Sequence, residues 1–152
     1  MMKTNPIIGF LRTIMLFLTG KVNFIKSSVG KEITMDDGMK FKVFRHVIIG
    51  SDKNLSNTRA VFRIRFIPKN MTVEENMRFS KIPMLIFMGF HGFRSKYWMV
   101  NEETETCLGV YEWDTLQDAE RYSKSIALRF ITRRSVEGSV SYEIECKNGN
   151  SV

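Results

Sequence analysis

The order of periodic segments predicts an α+β protein built on a four-stranded antiparallel sheet, with strands and helices following one another as β-α-β-β-α-β. Three observations predict it. Ala60–Ile67 alternates apolar and basic side chains with period two. Phe93–Val100 and Thr106–Trp113 are aromatic and β-branched runs flanking the polar residues 101–105, which reads as a hairpin. Capped helical segments follow the first and third of these runs, from Thr72 and from Asp114 or Thr115.

Ile7–Leu18 is apolar except for Gly9, Arg12 and Thr13. It falls short of the ~20 residues that a bilayer span needs, and no small-residue cleavage site follows it. Ile7, Leu11, Ile14, Leu18, Val22 and Ile25 recur at helical spacing, with Phe10, Phe17 and Phe24 alongside, and predict one apolar helical stripe. Such a stripe needs cover. Either it docks on its own domain or a second subunit, or residues 7–26 lie on a membrane surface with Lys21, Lys26 and Lys31 helping. Glu32–Met35 and Met39–Ile49 then form a hairpin around Asp36-Asp37-Gly38. Residues 1–50 are thus an N-terminal helix-and-hairpin extension, residues 50–59 a linker, and 60–146 the main domain.

Within that domain Thr72 caps a helix over Val73–Ser80, with Glu74 and Glu75 at its positive end. Pro83 should end or kink the helix, and the apolar run Met84–Met88 should lead into the hairpin. A second helix starts at Thr115 and continues or restarts through Ser125–Arg133. Gly138 opens a last strand, Ser139–Cys146. This is the ferredoxin-like split βαβ arrangement, whose strands lie in the order fourth, first, third, second.

Charge alternation fits that order. Arg63 and Arg65 oppose Phe62, Ile64 and Phe66 on the first strand, while Glu143 and Glu145 oppose Tyr142 and Ile144 on the last. Glu112 shares a face with Leu108 and Val110, and Arg94 and Lys96 alternate away from Phe93, Ser95 and Tyr97. Placed on one sheet face, the signs alternate from strand to strand, as opposite-charge pairing favours. Trp98, Val100, Leu108 and Val110 are expected to form an apolar patch on that face. An open salt-bridge lattice is one reading of it; the other is a homodimer that closes sheet on sheet over the patch.

Composition excludes several functions. The net charge of +7 is spread along the chain without a nucleic-acid-binding motif, so no nucleic-acid partner is expected. Cys107 and Cys146 make no disulfide framework or zinc pattern, and His46 and His91 lack a ligand set, so no metal is expected and a cytoplasmic, reducing setting is the default.

The run Gly92–Tyr122 carries a resemblance. Its Gly92, Phe93 and Lys96 opening, its polar 101–106 turn, then Gly109, Tyr111 and Trp113, and Ala119 in the following helix are similar to the dimeric α+β barrel superfamily. The YdhR-type monooxygenase-like proteins are the nearer branch and the antibiotic-biosynthesis monooxygenases the more distant one. The resemblance covers residues 60–146 in outline and does not reach 1–50. It implies a dimeric barrel and a pocket for a small apolar or aromatic ligand. It also implies either a cofactor-free monooxygenase acting on a small aromatic or quinone-like compound, or a non-catalytic binder of such a ligand. Some relatives bind haem, for which His91 is the one histidine the main domain offers. Cofactor-free oxygenation asks for a dry aromatic cavity, a base and a donor for the anion.

The candidate catalytic residues are His91 as base and Arg94 and Lys96 as holders of an anionic oxygen; Trp98, Tyr111, Trp113 and Tyr122 are the candidate substrate-binding residues. Each has a plainer reading. His91 can bond backbone, Arg94 and Lys96 can pair with Glu112, and the aromatics can be core.

Overall fold

The computed structural model describes residues 4–51 and 60–147; residues 52–59, most of the expected linker, lie outside the described residues. Three strands and a helix come from the N-terminal part: α1 (Pro6–Leu18), β1 (Val22–Phe24), β2 (Glu32–Thr34) and β3 (Lys40–Ile49). The rest supplies β4 (Ala60–Phe66), α2 (Val73–Phe79), α3 (Lys81–Phe87), β5 (Phe93–Asn101), β6 (Thr106–Trp113), α4 (Leu116–Ser123), α5 (Ile126–Arg133) and β7 (Ser141–Cys146). The sheet runs β1-β3-β5-β6-β4-β7, with β2 on the far end of β3, and every pairing is antiparallel. Its last four strands have the expected split βαβ order. The helices cover one face, here called the inner face.

Local chemistry explains the element ends. Thr72 and Glu75 form a reciprocal capping box at α2, with bonds of 3.1 and 2.7 Å. Thr115 and Ser125 cap α4 and α5 by accepting from Asp118 N and Leu128 N. The apolar run Met84–Met88, expected to lead into the hairpin, is itself largely helix. Pro83 falls in the first turn of α3, where the N–H it lacks would have had no intrahelical partner. The expected stripe through Ile25 also stops early. Gly20, at φ 66°, closes α1 with a Schellman motif, Lys21 N donating to Leu16 O and Gly20 N to Phe17 O, and Val22 enters β1.

The charge lattice is half right. Arg63 stands opposite Glu143 and bonds Glu145 at 2.6 Å, while Glu112 lies on the same outer face opposite Val61. Lys96, however, is on the inner face. A five-residue loop over 101–105 would pair Val100 with Thr106, but the chain pairs Asn101 with Thr106, and a one-residue change of register moves every side chain to the opposite face. Lys96 therefore faces Tyr111, and Trp98 and Val100 turn inward with it. Arg94 sits at a β-bulge between Phe93 and Ser95, outside the alternation.

The patch expected from Trp98, Val100, Leu108 and Val110 accordingly does not form. On the outer face Leu108 and Met99 are buried against Phe41 and Val43, with Met35 and Met39 packed alongside. The β2–β3 turn reaches across the sheet to β4, where Asp37 pairs with Arg65. The chain's own N-terminal hairpin covers this part of the outer face, while Glu143 and Glu145 of β7 stay exposed.

Helix α1 packs on α3 through its smallest residues. A Cβ on Gly89 would lie 1.8 Å from Gly9 O, and one on Gly9 would lie 2.5 Å from Ile86 O. Both contacts are with backbone, which cannot rotate away. Gly89→Ala should therefore lower stability by about 1–3 kcal/mol, the usual range for overpacking; urea unfolding of the parent and variant measures it.

Candidate functional site

The inner face is built from alternate residues of three strands: Phe62 and Ile64 of β4, Lys96 and Trp98 of β5, and Tyr111 and Trp113 of β6. Gly109 lies opposite Trp98. A Cβ there would come within 2.9 Å of Tyr111 and 3.2 Å of the Lys96 side chain, so glycine makes the space into which Lys96 folds.

Lys96 is 5% exposed, and its amine is enclosed by rings. Nζ lies 4.2 Å from the centroid of Tyr111, 4.5 Å from Trp98 and 4.6 Å from Phe87. It lies 2.6 Å from Tyr111 Oη, which in turn accepts from Tyr122 Oη at 2.8 Å. No carboxylate pairs with Lys96 among the described residues. Burial, reinforced by the charge of Arg45, pulls its amine well below the ordinary lysine range. Burial and the neighbouring Tyr122 push the Tyr111 phenol well above its ordinary value, and burial likewise raises Tyr122. Burial thus favours the neutral form of the amine and of both phenols beside it. A neutral amine can accept a proton, which an ammonium cannot.

A cavity opens beside Lys96 between the sheet and helices α2, α3 and α5, lined by Trp98, Phe87, Phe66, Asn76 and Phe130. The space within it open to the centre of a water molecule is about 50 Å³. That suits one or two waters. The Trp98 indole N–H is buried with no hydrogen-bond partner among the described residues. Asn76 Nδ2 donates to Cys107 Sγ at 3.3 Å, and burial pushes that thiol up to about 12, so it is no nucleophile. At the rim Phe79 stacks on Phe130 at 5.6 Å, and the Arg134 guanidinium lies 4.1 Å over Phe79.

The structure separates the expected site residues. Lys96 and Trp98 line the cavity; Tyr111 and Tyr122 stand behind Lys96 as fully buried core; Trp113 packs on Phe93 and Tyr122, also in the core. His91 and Arg94 are elsewhere, in a groove beside α1. His91 Nδ1 is 3.0 Å from Asp118 Oδ1, an acid that also holds Arg121 and accepts from the Thr115 hydroxyl. Arg94 donates to both oxygens of Asp114 at 2.6 and 2.7 Å. Both act as braces for the start of α4.

Sequence reasoning misses Arg45 and Phe87. Arg45 comes from β3, beside β5, and binds Ser80 Oγ and Met77 O while covering the Trp98 ring at 5.0 Å. It ties the end of α2 to the cavity wall. Nothing local in the sequence announces that pairing. Phe87 follows Met84 at helical spacing, a signal hidden by reading Pro83 as a terminator.

The sequence matches no family model and no curated protein. Its structure is similar to that of a ferredoxin-fold protein related to antibiotic biosynthesis monooxygenases from Listeria monocytogenes, at TM-score 0.58 and 17% identity over 91% of this chain and 88% of the other. A monooxygenase-like protein from Listeria innocua matches at 0.59 and 18%, over 93% and 89%. The chain has the ferredoxin-like fold of these monooxygenase-like proteins. A heme-degrading enzyme from Listeria monocytogenes shares it at 0.54 and 16%, over 72% of each chain.

The lowered basicity of Lys96 has a consequence for stability. Because burial lowers the folded amine's pKa while the unfolded chain keeps the ordinary value of about 10.4, the unfolded state binds more protons as pH approaches 10.4, so stability should rise with pH toward 9.5. Lys96→Met should be at least as stable as the parent at pH 7 and should lose that part of the rise. Urea unfolding at the two pH values reads both.

Proposed function

We propose that the chain is a cofactor-independent monooxygenase acting on a small aromatic or quinone-like compound, with a single-ring dihydroxyaromatic as the substrate class. The observation that carries the reading is a lysine amine of lowered basicity buried at the wall of an aromatic-lined cavity. Lys96 takes the phenolic proton and then holds the phenolate as its ammonium partner. The phenolate is electron-rich enough to give electrons to dioxygen. Overall, a dihydroxyaromatic and one dioxygen give a hydroxyquinone and one water, so a ring C–H becomes a ring C–O. All four electrons come from the substrate, and no external reductant enters.

Haem, the cofactor that one neighbour's name brings to mind, does not suit this cavity. The space is far smaller than a porphyrin, and neither His46 nor His91 lines it. The competing reading, a non-catalytic binder of the same ring, draws on the same small volume.

Oxygen uptake against a panel of dihydroxyaromatics tests the proposal. Turnover is expected in the parent, with kcat/KM lowered about 10²–10⁴-fold in Lys96→Met, the usual worth of a general base, and left within about twofold in His91→Ala. A raised melting temperature with these compounds and no uptake would select the binder.

A further inference from the structure

Helix α1 faces the wrong way for an ordinary surface helix. Its small residues, Gly9 and Thr13, are buried against α3, and its large apolar residues face water. Ile7 is 71% exposed, Leu11 56%, Ile14 39% and Leu18 77%. These four recur at i, i+4, i+7 and i+11, so they form one ridge about 17 Å long on the side opposite the packed face. Phe10 and Phe17 broaden the ridge, and the Phe17 ring meets the exposed Phe24 of β1 at 6.4 Å. Isolated exposed apolar residues are ordinary, but a contiguous ridge of this size marks an interaction surface.

The charge around the ridge has one sign. Residues 1–31 contain Lys3, Arg12, Lys21, Lys26 and Lys31 and no aspartate or glutamate. Arg12, Lys21, Lys26 and Lys31 are all exposed, and none of the ion pairs among the described residues includes them. Arg12 lies on the flank of the ridge, and with Lys21 it lines the groove between α1 and the start of β5. A second copy of this chain pairing ridge to ridge would set Arg12, Lys21 and Lys26 near their own copies, without an acid in this segment to offset them. An anionic lipid surface offers the opposite charge together with an apolar layer. Among the described residues no helix is long and apolar enough to cross a membrane, so α1 would lie in the surface plane.

We propose that α1 is a monotopic anchor, its Ile7–Leu11–Ile14–Leu18 ridge entering the headgroup–acyl boundary of an anionic phospholipid bilayer while Arg12, Lys21 and Lys26 meet the lipid phosphates. The anchor is independent of the chemistry in the cavity.

Co-sedimentation of the full chain with vesicles tests this, using phosphatidylglycerol mixed with phosphatidylcholine against phosphatidylcholine alone. The chain should partition at least about tenfold more strongly to the anionic vesicles. Lys21→Gln with Lys26→Gln should weaken that binding about 25-fold, roughly fivefold for each charge. Leu11→Glu with Leu18→Glu should abolish it while leaving circular dichroism and the unfolding midpoint near those of the parent, because both side chains already face water. Three results would overturn the proposal: no binding to the anionic vesicles, equal binding to both kinds, or a dimer in solution that Leu11→Glu with Leu18→Glu converts to monomer. The last would assign the ridge to a second copy.

Discussion

The pairing of Asn101 with Thr106 governs the inner face. Asn101 stays in the strand through its backbone while its side chain accepts from Glu103 N and Thr104 N, and Glu105 takes the left-handed conformation at φ 58° to close the turn. That register sends Lys96 and Trp98 toward the helices. One residue's slip would put the amine in water and Tyr97 in the core. The cavity, the depressed basicity of Lys96 and the unpartnered Trp98 indole all depend on it.

The N-terminal segment completes the molecule on both faces. Its hairpin buries Leu108 and Met99 and ties Asp37 to Arg65 across the outer face, while Arg45 of β3 closes the cavity wall at the end of α2. Helix α1 adds a layer beyond α3 at the two-glycine contact. One sheet therefore carries an aromatic-lined pocket on its helix side and is covered by its own chain over the β3, β5 and β6 part of the other. The groove running from Pro6 past Ile82 and Ile86 shares Pro83 and Phe130 with the cavity lining, so the pocket rim lies on the same side of the molecule as α1.

Much of this was legible from residue pattern. Period-two alternation placed Arg63 and Glu143 on one face, and the Thr72 and Thr115 caps marked helix starts, because each signal is local and carried by adjacent side chains. What failed depended on a single residue or on distant pairing. Asn101 looks like loop by composition yet pairs as strand, and this alone reversed the side on which Lys96 was expected. Gly20 ended a helix whose apolar spacing continued past it. Sequence proximity grouped His91 and Arg94 with Lys96, but the turn at Gly92, at φ 82°, and the bulge at Arg94 direct them to Asp118 and Asp114 instead. The cover given by residues 35–43 was hidden because the β3–β5 register is set by contacts about fifty residues apart.

The claim on which the chemistry rests is that Lys96 carries an uncharged amine in the folded protein. Titration of the lysine side-chain nitrogen and Cε resonances by NMR, with Lys96 assigned from the Lys96→Met spectrum, reads this directly. The account predicts a Lys96 signal already in its neutral form where the surface lysines are still charged. A Lys96 resonance that titrates together with Lys21 and Lys26 would contradict it.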